Sequence, residues 1–315
     1  MPIIVFGSLN MDLVAQVPRL PMAGETLLGT GFTTVPGGKG ANQAVAAARL
    51  GAATSMVGRV GDDGFGAILC ASLRQAGVNT DLVLVDAGPS GVALINVDGT
   101  GENQIVVVPG ANGHGDETDG LRLPLPVASP DRSKPLEPYI LLMQFEVPLV
   151  AVQAAAVRAK AHGVRVIVDP APARSDLPPD FYGLVDILTP NQTEASQLTG
   201  LAVQDVTTAQ AAAQVLRQRG TATVIVKLGG QGAVVASPSE VFHVPAFPVP
   251  VVDTVAAGDA FNGGLAVALG EGKPLRRAVE WASAVAALSV MQAGAQPSMP
   301  TRPQVEAFLL SHGSE

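Results

Sequence analysis

Short apolar runs rich in β-branched residues alternate along this chain with Ala-rich windows of helical periodicity. Strand-like runs at 3–6 and 54–57 alternate with helical windows at 41–50 and 65–76. After a Pro- and Gly-rich segment, the alternation resumes with strand-like runs at 139–143, 164–168, 185–188 and 223–226 and helical windows at 150–162 and 208–219. The pattern predicts an α/β protein with a mostly parallel sheet and helices on both of its faces.

Two segments interrupt this alternation with strands that no helix separates, at 12–35 and at 91–108. The second segment folds around Asp98-Gly99-Thr100-Gly101, which is typical of a hairpin turn. Because both segments lie between elements of the α/β core, they predict a small antiparallel sheet that projects from a single domain spanning 1–315. We expect this sheet to act as a lid over a site.

Charge and cysteine content limit the kinds of binding partner and the cellular compartment that we expect for this chain. The net charge is −8 and no window forms a basic stripe, so we expect no nucleic-acid partner. The single Cys70 lies in the apolar stretch FGAILCASL, which favours a buried thiol in a cytoplasmic protein. The apolar stretch at 281–291 is shorter than the ~20 residues of a membrane span, and the four histidines show no metal-ligand spacing.

The segment VDTVAAGDAFNGG (252–264) places Ala256, Ala257 and Gly258 where a helix is predicted to begin, after a strand-like run at 248–253. Unpaired N–H groups at a helix N-terminus bind anions, and small side chains let a phosphate approach closely. Asp259 follows in the first turn, where its carboxylate suits a general base acting on an attacking hydroxyl. Alternatively, Asp259 is an acidic residue of the kind that any first helical turn favours.

A second glycine-rich turn, PGGKGANQ (36–43), leads directly into an Ala-rich helical window. Gly40 follows Lys39, so the GxxxxGK[ST] spacing of a Walker-type phosphate loop is absent and that type of nucleotide binding is excluded. The glycines allow close approach by a small polar ligand, to which Asn42 can donate and accept hydrogen bonds. The alternative is a turn that needs glycine only for its backbone conformation.

A polar pair follows the first strand-like run, in the segment GSLNMD (7–12). In an extended segment, Asn10 and Asp12 point to the same side. A carboxylate can accept hydrogen bonds from two vicinal hydroxyls, which suggests a sugar ligand. A polar turn without a ligand is the alternative.

Together, these motifs resemble the phosphofructokinase-B family of carbohydrate kinases, also called the ribokinase family. The resemblance rests on GGKGANQ, VDTVAAGDAFNGG, the Asn10/Asp12 pair, TPNQTE (189–194) and GAQPS (294–298). It extends from about Ile3 to about Leu310. It implies a ribokinase-like α/β fold, with a three-layer α/β/α core and a small projecting β-sheet lid.

The resemblance also implies an enzyme that uses ATP and Mg²⁺ to phosphorylate D-ribose at O5, with Asp259 as the base. The N–H groups that contact the transferring phosphoryl group would then belong to Ala256, Ala257 and Gly258. The family's sugar contacts match Asn10, Asp12, Gly38, Lys39, Gly40, Asn42, Glu146 and Asp259. Its nucleotide contacts match Asn191 and Glu194 of an NxxE motif, the turn Lys227, Leu228, Gly229, Gly230, Gln231 and Gly232, and Gly258.

Two further expectations come from the same resemblance. A monovalent cation, K⁺, would activate the enzyme from a site formed by Asp253, Val255, Ser289, Gln292, Gly294 and Ser298. The lid would pair with a second copy to form a homodimer, since a small projecting sheet leaves edge strands unpaired.

Several alternatives remain at the level of sequence. The chain could be a kinase for another sugar or a nucleoside, or a non-catalytic sugar or nucleotide sensor on the same fold, although a sensor has no use for a base such as Asp259. A dehydrogenase is disfavoured because no GxGxxG follows the first strand-like run. The segment 110–138 and the surroundings of Ser283, where the adenine would bind, match no strong motif.

Overall fold

The computed structural model of the protein describes residues 2–125 and 139–313. Over these residues the strands are β1 (Pro2–Phe6), β2 (Asn10–Val17), β3 (Gly31–Gly37), β4 (Ala53–Gly61), β5 (Asn79–Asp86), β6 (Gly91–Asp98), β7 (Asn103–Val108), β8 (Ile140–Met143), β9 (Arg165–Val168), β10 (Ile187–Leu188), β11 (Thr223–Lys227), β12 (Ala233–Ala236) and β13 (Val241–Val244). The helices are α1 (Lys39–Arg49), α2 (Gly64–Gln75), α3 (Leu149–Ala161), α4 (Gln192–Thr199), α5 (Val206–Gln218), α6 (Ala257–Gly270), α7 (Leu275–Ser289) and α8 (Arg302–Ser311). Every run of the alternating pattern overlaps one of these elements.

The large sheet has the strand order β13-β12-β11-β10-β9-β8-β1-β4-β5. Its neighbours pair in parallel, except that β12 runs antiparallel to β11 and β13. The prediction of a mostly parallel sheet is confirmed. Because the parallel strands point the same way, their carboxyl ends meet at one side of the sheet, which we call the carboxyl edge.

Side chains of β1 alternate between two separate apolar cores. Ile3 and Val5 are buried together with residues of α1, α2, α6, α7 and α8, whereas Ile4 and Phe6 are buried with residues of α3, α4 and α5. Successive side chains of a strand point to opposite faces of its sheet. The two cores therefore lie on opposite faces, and helices cover both, as a three-layer architecture requires.

The other four strands form the small sheet, in the order β3-β2-β6-β7. The pairs β2–β3 and β6–β7 are antiparallel, and the Gly101 N–H donates to the Asp98 carbonyl oxygen (3.0 Å) in the turn between β6 and β7. The central pair β2–β6 is parallel, so the predicted antiparallel pairing holds for the two outer pairs and not for the central one. The reason is that β1 and β5 run in the same direction, and each continues through a short link into its strand of the small sheet.

One segment is not the strand that was expected, and a second is described only in part. The strand-like run at 248–253 is irregular, because Pro248 and Pro250 lack the N–H groups that strand pairing needs. The Pro- and Gly-rich segment at 110–138 contains two short 3₁₀ helices, Gly110–His114 and Glu117–Arg122. Its residues 126–138 lie outside the described part of the chain.

Two further expectations concern apolar segments. Cys70 is buried in α2, and burial raises the pKa of its thiol, in agreement with an inert core cysteine. The apolar stretch at 281–291 belongs mostly to α7, which packs on α6. Within the described residues, the chain has no helix whose length and apolar character would let it cross a membrane.

Candidate active site

A cavity of about 710 Å³ opens at the carboxyl edge of the large sheet. Its polar wall is formed by Asp169, which directly follows β9, by Asn191 and Glu194, which follow β10, and by Lys227 at the end of β11. The N-terminus of α6 completes this wall. Parallel α/β sheets bind their ligands at this edge because the loops after the strands converge there.

The start of α6 has an unusual backbone conformation. Ala256 has φ 59°, and within the described residues it is the only residue besides glycine with positive φ. Such strain costs roughly 1–3 kcal/mol and is concentrated at functional sites. No side chain caps α6, and the Ala257 N–H donates to the Thr254 carbonyl oxygen (3.3 Å). The N–H groups of Gly258 and Asp259 therefore remain for an anion.

The carboxylate of Asp259 is buried where this helix start meets α1. It accepts hydrogen bonds from the Asn42 side chain (3.1 Å) and from the Gln43 side chain (3.0 Å). Burial raises the pKa of Asp259 to about 6, although the ammonium of Lys39 and the two amide hydrogen bonds work in the opposite direction. A carboxylate with this pKa is ionised at neutral pH yet remains basic enough to accept a proton.

Behind Asp259, a buried network reaches the opposite side of the cavity. The Gln43 Nε2 atom also lies 3.2 Å from the Asp169 carboxylate, which accepts a hydrogen bond from the Lys227 ammonium (2.9 Å). A Cβ atom added to Gly258 would lie 3.3 Å from Lys227 Nζ. This places the ammonium directly beside the backbone of the α6 N-terminus.

A second polar cluster surrounds Glu146, which follows β8. Its carboxylate accepts hydrogen bonds from Ser8 Oγ (2.5 Å), from the Asn10 side chain (3.3 Å) and from the Lys39 N–H (3.1 Å). The amide of Asn112 bonds to both backbone groups of Leu9 and to Asn10 Oδ1 (2.8 Å). Asn10 is therefore held from two sides at the base of the small sheet.

Asp12 and Lys39 add charge to this cluster. Burial and the neighbouring carboxylates of Glu146 and Asp259 raise the pKa of Asp12 to about 7. Burial works against the charged form of Lys39, but the carboxylates of Asp259, Asp169, Glu146 and Glu194 outweigh it and raise its pKa. Lys39 and Asp259 also line the cavity, so these two residues join the cluster to it.

The glycines of the α1 turn have a packing role in this structure. Gly38 has φ 89°, and a Cβ there would lie 2.6 Å from the Asn10 nitrogen. A Cβ on Gly40 would lie 2.7 Å from the Ser8 nitrogen. These glycines let the start of α1 pack against the link between β1 and β2, which brings Asn42 and Asn10 to the same site.

The NxxE motif caps α4. Asn191 Oδ1 accepts a hydrogen bond from the Glu194 N–H (2.8 Å), and Glu194 Oε2 accepts one from the Asn191 N–H (2.7 Å). This reciprocal capping box explains the spacing by local structure alone. Both residues nevertheless line the cavity, and burial together with Asp169 raises the pKa of Glu194.

The turn after β11 lines the cavity only in part. Lys227, Gly229, Gly230 and Gly232 face it, whereas Leu228 is buried in the core that contains α3, α4 and α5. The Gln231 side chain donates to the Gln204 carbonyl oxygen (3.2 Å) instead. Beyond this turn the wall becomes mostly apolar, with Phe247, Val249, Ala286 and Val290, and it also includes Ser283.

The residues expected to bind K⁺ come from two segments that touch. Asp253 accepts hydrogen bonds from the Val255 N–H (2.9 Å) and from the Gly294 N–H (2.8 Å). Ser289 and Ser298 belong to the second segment, where their hydroxyls donate to the carbonyl oxygens of Ala286 and Ala295. Gln292 lies between them, and its N–H donates to the Ser289 carbonyl oxygen (3.2 Å). The contacts thus bring Asp253, Val255 and Gly294 together.

Comparisons with known proteins agree with this architecture. The model of the pfkB family of carbohydrate kinases matches residues 2–302. The chain belongs to the pfkB carbohydrate kinase family. It is 42% identical to a ribokinase of Haemophilus influenzae over 306 residues, which cover 97% of each chain. It is 37% identical to a deoxyribokinase of Salmonella typhi, covering 98% of this chain and 99% of that one.

A solved structure of an Arabidopsis thaliana ribokinase, complexed with ribose and ATP, superimposes with a TM-score of 0.84. The two chains are 34% identical, and the match covers 98% of each. The expected ribokinase-like fold is confirmed, and the chain is a carbohydrate kinase by its family.

Sequence reasoning missed part of the candidate site. Asp169, Gln43, Gln144, Asn112 and Ser8 are all buried polar residues that hold other site residues in place. A signal was available for Asp169, because it is a carboxylate directly after a buried apolar run, where the carboxyl end of a parallel strand is expected. Gln43 stands inside the glycine-rich motif, but nothing in that motif shows that its amide reaches Asp259.

The space beside Gly258 gives a first test of the site. We expect Gly258→Ala to lower kcat at least tenfold, because the added methyl group would occupy the space between Lys227 and the helix start, where an anion must approach. Gly64→Ala is the matched control, since Gly64 also begins a helix and a Cβ there meets no atom within 4 Å. Steady-state kinetics and thermal melting of both variants would check this, and equal kcat values for the two would contradict it.

Proposed function

We propose that this carbohydrate kinase transfers the γ-phosphoryl group of ATP to O5 of D-ribose and releases D-ribose 5-phosphate. The observation that carries the proposal is the position of Asp259. Its carboxylate accepts a hydrogen bond from Asn42 of α1, the helix whose first residue, Lys39, donates its N–H to Glu146. Asp259 also lies in the first turn of the uncapped helix that faces the cavity. A hydroxyl held by the cluster and a phosphoryl group held by the helix would meet there.

Asp259 acts as the general base in this reaction. Asn42 and Gln43 each donate to one of its oxygens, which orients the carboxylate while leaving lone pairs for the sugar hydroxyl. Its pKa of about 6 keeps it ionised at neutral pH. As O5 attacks the phosphorus atom, its proton passes to Asp259, and the bond from phosphorus to the leaving ADP oxygen breaks.

The N-terminus of α6 and Lys227 stabilise the transferring group. The free N–H groups of Gly258 and Asp259 point where negative charge develops on the phosphoryl oxygens, and the Lys227 ammonium lies beside them. The positive end of the helix dipole acts in the same direction. These groups are in place before the reaction, so they need little rearrangement as the charge grows.

Mg²⁺ bound with ATP would supply further positive charge on the phosphates. The donor set fits such an ion, because Glu194 and Asn191 offer oxygens on the wall of the same cavity and the carboxylate of Glu194 has no cation bonded to it among the described residues. Mg²⁺ typically uses one or two carboxylates and keeps its other positions for water and phosphate oxygens. The mostly apolar wall with Phe247, Val249 and Ser283 would receive the adenine.

The sugar would bind between α1 and the small sheet. Asn10, Asp12 and Glu146 converge there with Asn42 and the backbone at Gly38, Lys39 and Gly40. This excess of hydrogen-bond acceptors suits a ligand rich in hydroxyl groups. A sugar substrate that is phosphorylated by ATP, together with the free thiol of Cys70, is consistent with an enzyme of the cytoplasm.

A deoxyribokinase is the second candidate, because the chain resembles one at 37% identity over nearly its full length. The polar cluster favours ribose, since a sugar without one contacted hydroxyl leaves a buried polar group unpaired. Such a loss costs about 1–3 kcal/mol.

Sugar selectivity tests the proposed substrate. We expect kcat/KM for ribose to exceed that for 2-deoxyribose by about tenfold or more, in line with that cost. ATP consumption would be measured with ribose, 2-deoxyribose, fructose, adenosine and no acceptor. Equal values for ribose and 2-deoxyribose would favour the deoxyribokinase alternative, and no consumption with any acceptor would favour a sensor.

Loss of the base tests the proposed mechanism. We expect Asp259→Asn to keep the fold and to bind sugar, but to lower kcat by roughly 10²–10⁴. In the unmodified protein, Asp259 is protonated below a pH of about 6, so kcat should fall as the pH decreases through that value.

Asp12→Asn provides the comparison for this experiment. The pKa of Asp12 is about 7, but its carboxylate faces the sugar cluster rather than the helix start, so its loss should raise KM more than it lowers kcat. Full turnover by a correctly folded Asp259→Asn variant would show that another group takes the proton.

We also propose that K⁺ binds between the turn at 253–255 and the segment at 289–298. The Asp253 carboxylate, the Val255 carbonyl oxygen, and backbone or hydroxyl oxygens of Ser289, Gln292, Gly294 and Ser298 are hard donors that suit such an ion. The contacts of Asp253 with Val255 and Gly294 support this placement. Val255 adjoins the strained Ala256, so an ion that fixes the conformation of this turn would also fix the start of α6.

Exchange of the cation tests this site. At constant ionic strength, we expect the initial rate to be several-fold higher with K⁺ than with a tetraalkylammonium ion, which is too large for the turn. Asp253→Asn should lose the response, whereas Asp205→Asn, which alters the exposed cap of α5, should keep it. An identical rate with both ions would remove K⁺ from the mechanism.

Finally, we propose that two copies pair through the small sheet. Its edge strand β7 is exposed along its length, including Ile105, Val106, Val107 and Val108. Leu94 and Phe32, which are also exposed, lie on the face of the sheet that Val106 and Val108 share. An exposed apolar edge strand is a favourable surface for pairing with another chain.

Light scattering at micromolar concentration tests the dimer. We expect the mass of a dimer for the unmodified protein and of a monomer for Ile105→Lys. Val157→Lys on α3 is the matched control, because Val157 is 51% exposed and Ile105 is 52% exposed. A monomeric mass for the unmodified, fully active protein would contradict the proposal.

A further inference from the structure

We propose that Asp169 is a positioning residue for phosphoryl transfer, whose carboxylate holds Lys227 at the α6 N-terminus and at the same time orients Gln43 on Asp259. The inference rests on the proposed function, because it takes Asp259 as the base and the α6 N-terminus as the phosphoryl site. Asp169 itself touches neither of the reacting groups. It would act through its two partners.

The two oxygens of the Asp169 carboxylate have different partners. Oδ1 accepts a hydrogen bond from the Lys227 ammonium (2.9 Å), and Oδ2 accepts one from Gln43 Nε2 (3.2 Å). The same Nε2 atom lies 3.0 Å from Asp259 Oδ1. One carboxylate thus connects the cation of the phosphoryl site with the amide that contacts the base. Only 3% of Asp169 is exposed, so water does not compete for these bonds.

The orientation of Gln43 is set from its other end. Gln144 Nε2 donates to Gln43 Oε1 (2.7 Å), so the Gln43 amide must present its NH₂ group to Asp169 and Asp259. Both glutamine side chains are fully buried. A rotation of the Gln43 amide would place its oxygen against two carboxylates, which is unfavourable in a site without water.

Lys227 needs a partner of this kind. Its ammonium lies on a flexible stem with four methylene groups, and such a stem does not by itself fix the position of a charge. The Asp169 carboxylate fixes it beside Gly258, where the ammonium faces the phosphoryl site. Without this bond the ammonium would be free to move along the cavity wall.

The chemistry of the two partners requires a carboxylate at position 169. Lys227 and Gln43 are both donors toward this residue, so both of its oxygens must accept. An asparagine has almost the same shape but only one acceptor oxygen. In either orientation, its NH₂ group would face either the ammonium or the Gln43 NH₂ group. Asp169→Asn must therefore displace one of the two partners.

The first measurement compares kcat with KM. We expect Asp169→Asn to lower kcat by about 10- to 100-fold, because a displacement of about 1 Å near the reacting groups can cost that much. The KM for the sugar should change less than about twofold, since Asp169 is not in the cluster around Glu146. A purely structural defect would instead lower the melting temperature and the fraction of active protein, and it would not lower kcat selectively over KM.

Asp186→Asn is the matched control. Asp186 also pairs with a lysine, Lys160, and bonds to a backbone N–H, but it precedes β10 and so lies at the opposite edge of the sheet. We expect its kcat and KM to remain within about twofold of those of the unmodified protein.

A double-mutant cycle tests whether Asp169 acts through Lys227. Asp169→Asn is introduced both into the unmodified protein and into the Lys227→Met variant, and the fold-loss of kcat is compared. We expect the loss to be at least threefold smaller in the Lys227→Met variant, because one of the two partners of Asp169 is already absent there. If Asp169→Asn does not fold, Gln144→Met tests the same network from the other end. It should lower kcat several-fold with the sugar KM unchanged.

The proposal is overturned if Asp169→Asn, or Gln144→Met in its place, keeps kcat within twofold. It is equally overturned if the loss is the same with and without Lys227. All rates are measured with whichever acceptor the unmodified protein phosphorylates. If the unmodified protein prefers another sugar, the proposed substrate is wrong, but the double-mutant cycle still decides the role of Asp169.

Discussion

Two lysine ammonium groups allow five carboxylates to share one edge of the sheet. Asp12, Glu146, Asp169, Glu194 and Asp259 come from separate parts of the chain, and without cations their mutual repulsion would be severe in a poorly hydrated site. Lys39 interacts electrostatically with all five, and Lys227 is bonded to Asp169. The candidate site depends on this balance of charge.

The balance is incomplete without a ligand. Five carboxylates face two ammonium groups, and Asp12 and Asp259 both have a pKa well above the usual value for an aspartate, mainly because burial disfavours the charged form and also because neighbouring carboxylates repel it. A neutral sugar with several hydroxyl donors would satisfy these acceptors without adding charge. ATP would arrive on the other side of Asp259, where Lys227 and the helix start provide positive potential. The site is thus divided by charge into two halves that suit two different substrates.

Local motifs at this site have both a structural and a functional interpretation. Asn191 and Glu194 form a capping box that would stabilise α4 in any protein, yet the same residues line the cavity beside Asp169. Gly38 and Gly40 are required by close backbone contacts, and these contacts bring Asn42 to Asp259. The structural role therefore does not replace the functional one, because the packing is what positions the chemistry.

Much of the architecture was predictable because it follows from local periodicity. The apolar runs and Ala-rich windows indicated a parallel α/β core, and the paired runs without helices indicated a second sheet. Backbone pairing that depends on distant strands was not predictable in the same way. The parallel β2–β6 pair follows from the common direction of β1 and β5, which only the assembled large sheet determines. The prolines at 248 and 250 prevent strand pairing in a run that its apolar residues alone favoured as a strand.

By itself, the sequence determined the residues whose chemistry is visible in a short motif. These are Asp259 after its small residues, the glycine-rich turn with Lys39 and Asn42, and the Asn10/Asp12 pair. Only the tertiary structure decided that Asp169 and Gln43 connect Lys227 to Asp259, because these residues are far apart in the chain and meet where different strands end. It also decided the pKa values of Asp12 and Asp259, which depend on burial and on carboxylates contributed by other elements. A motif specifies which groups are present, but their charge and orientation come from the neighbours that folding brings to them.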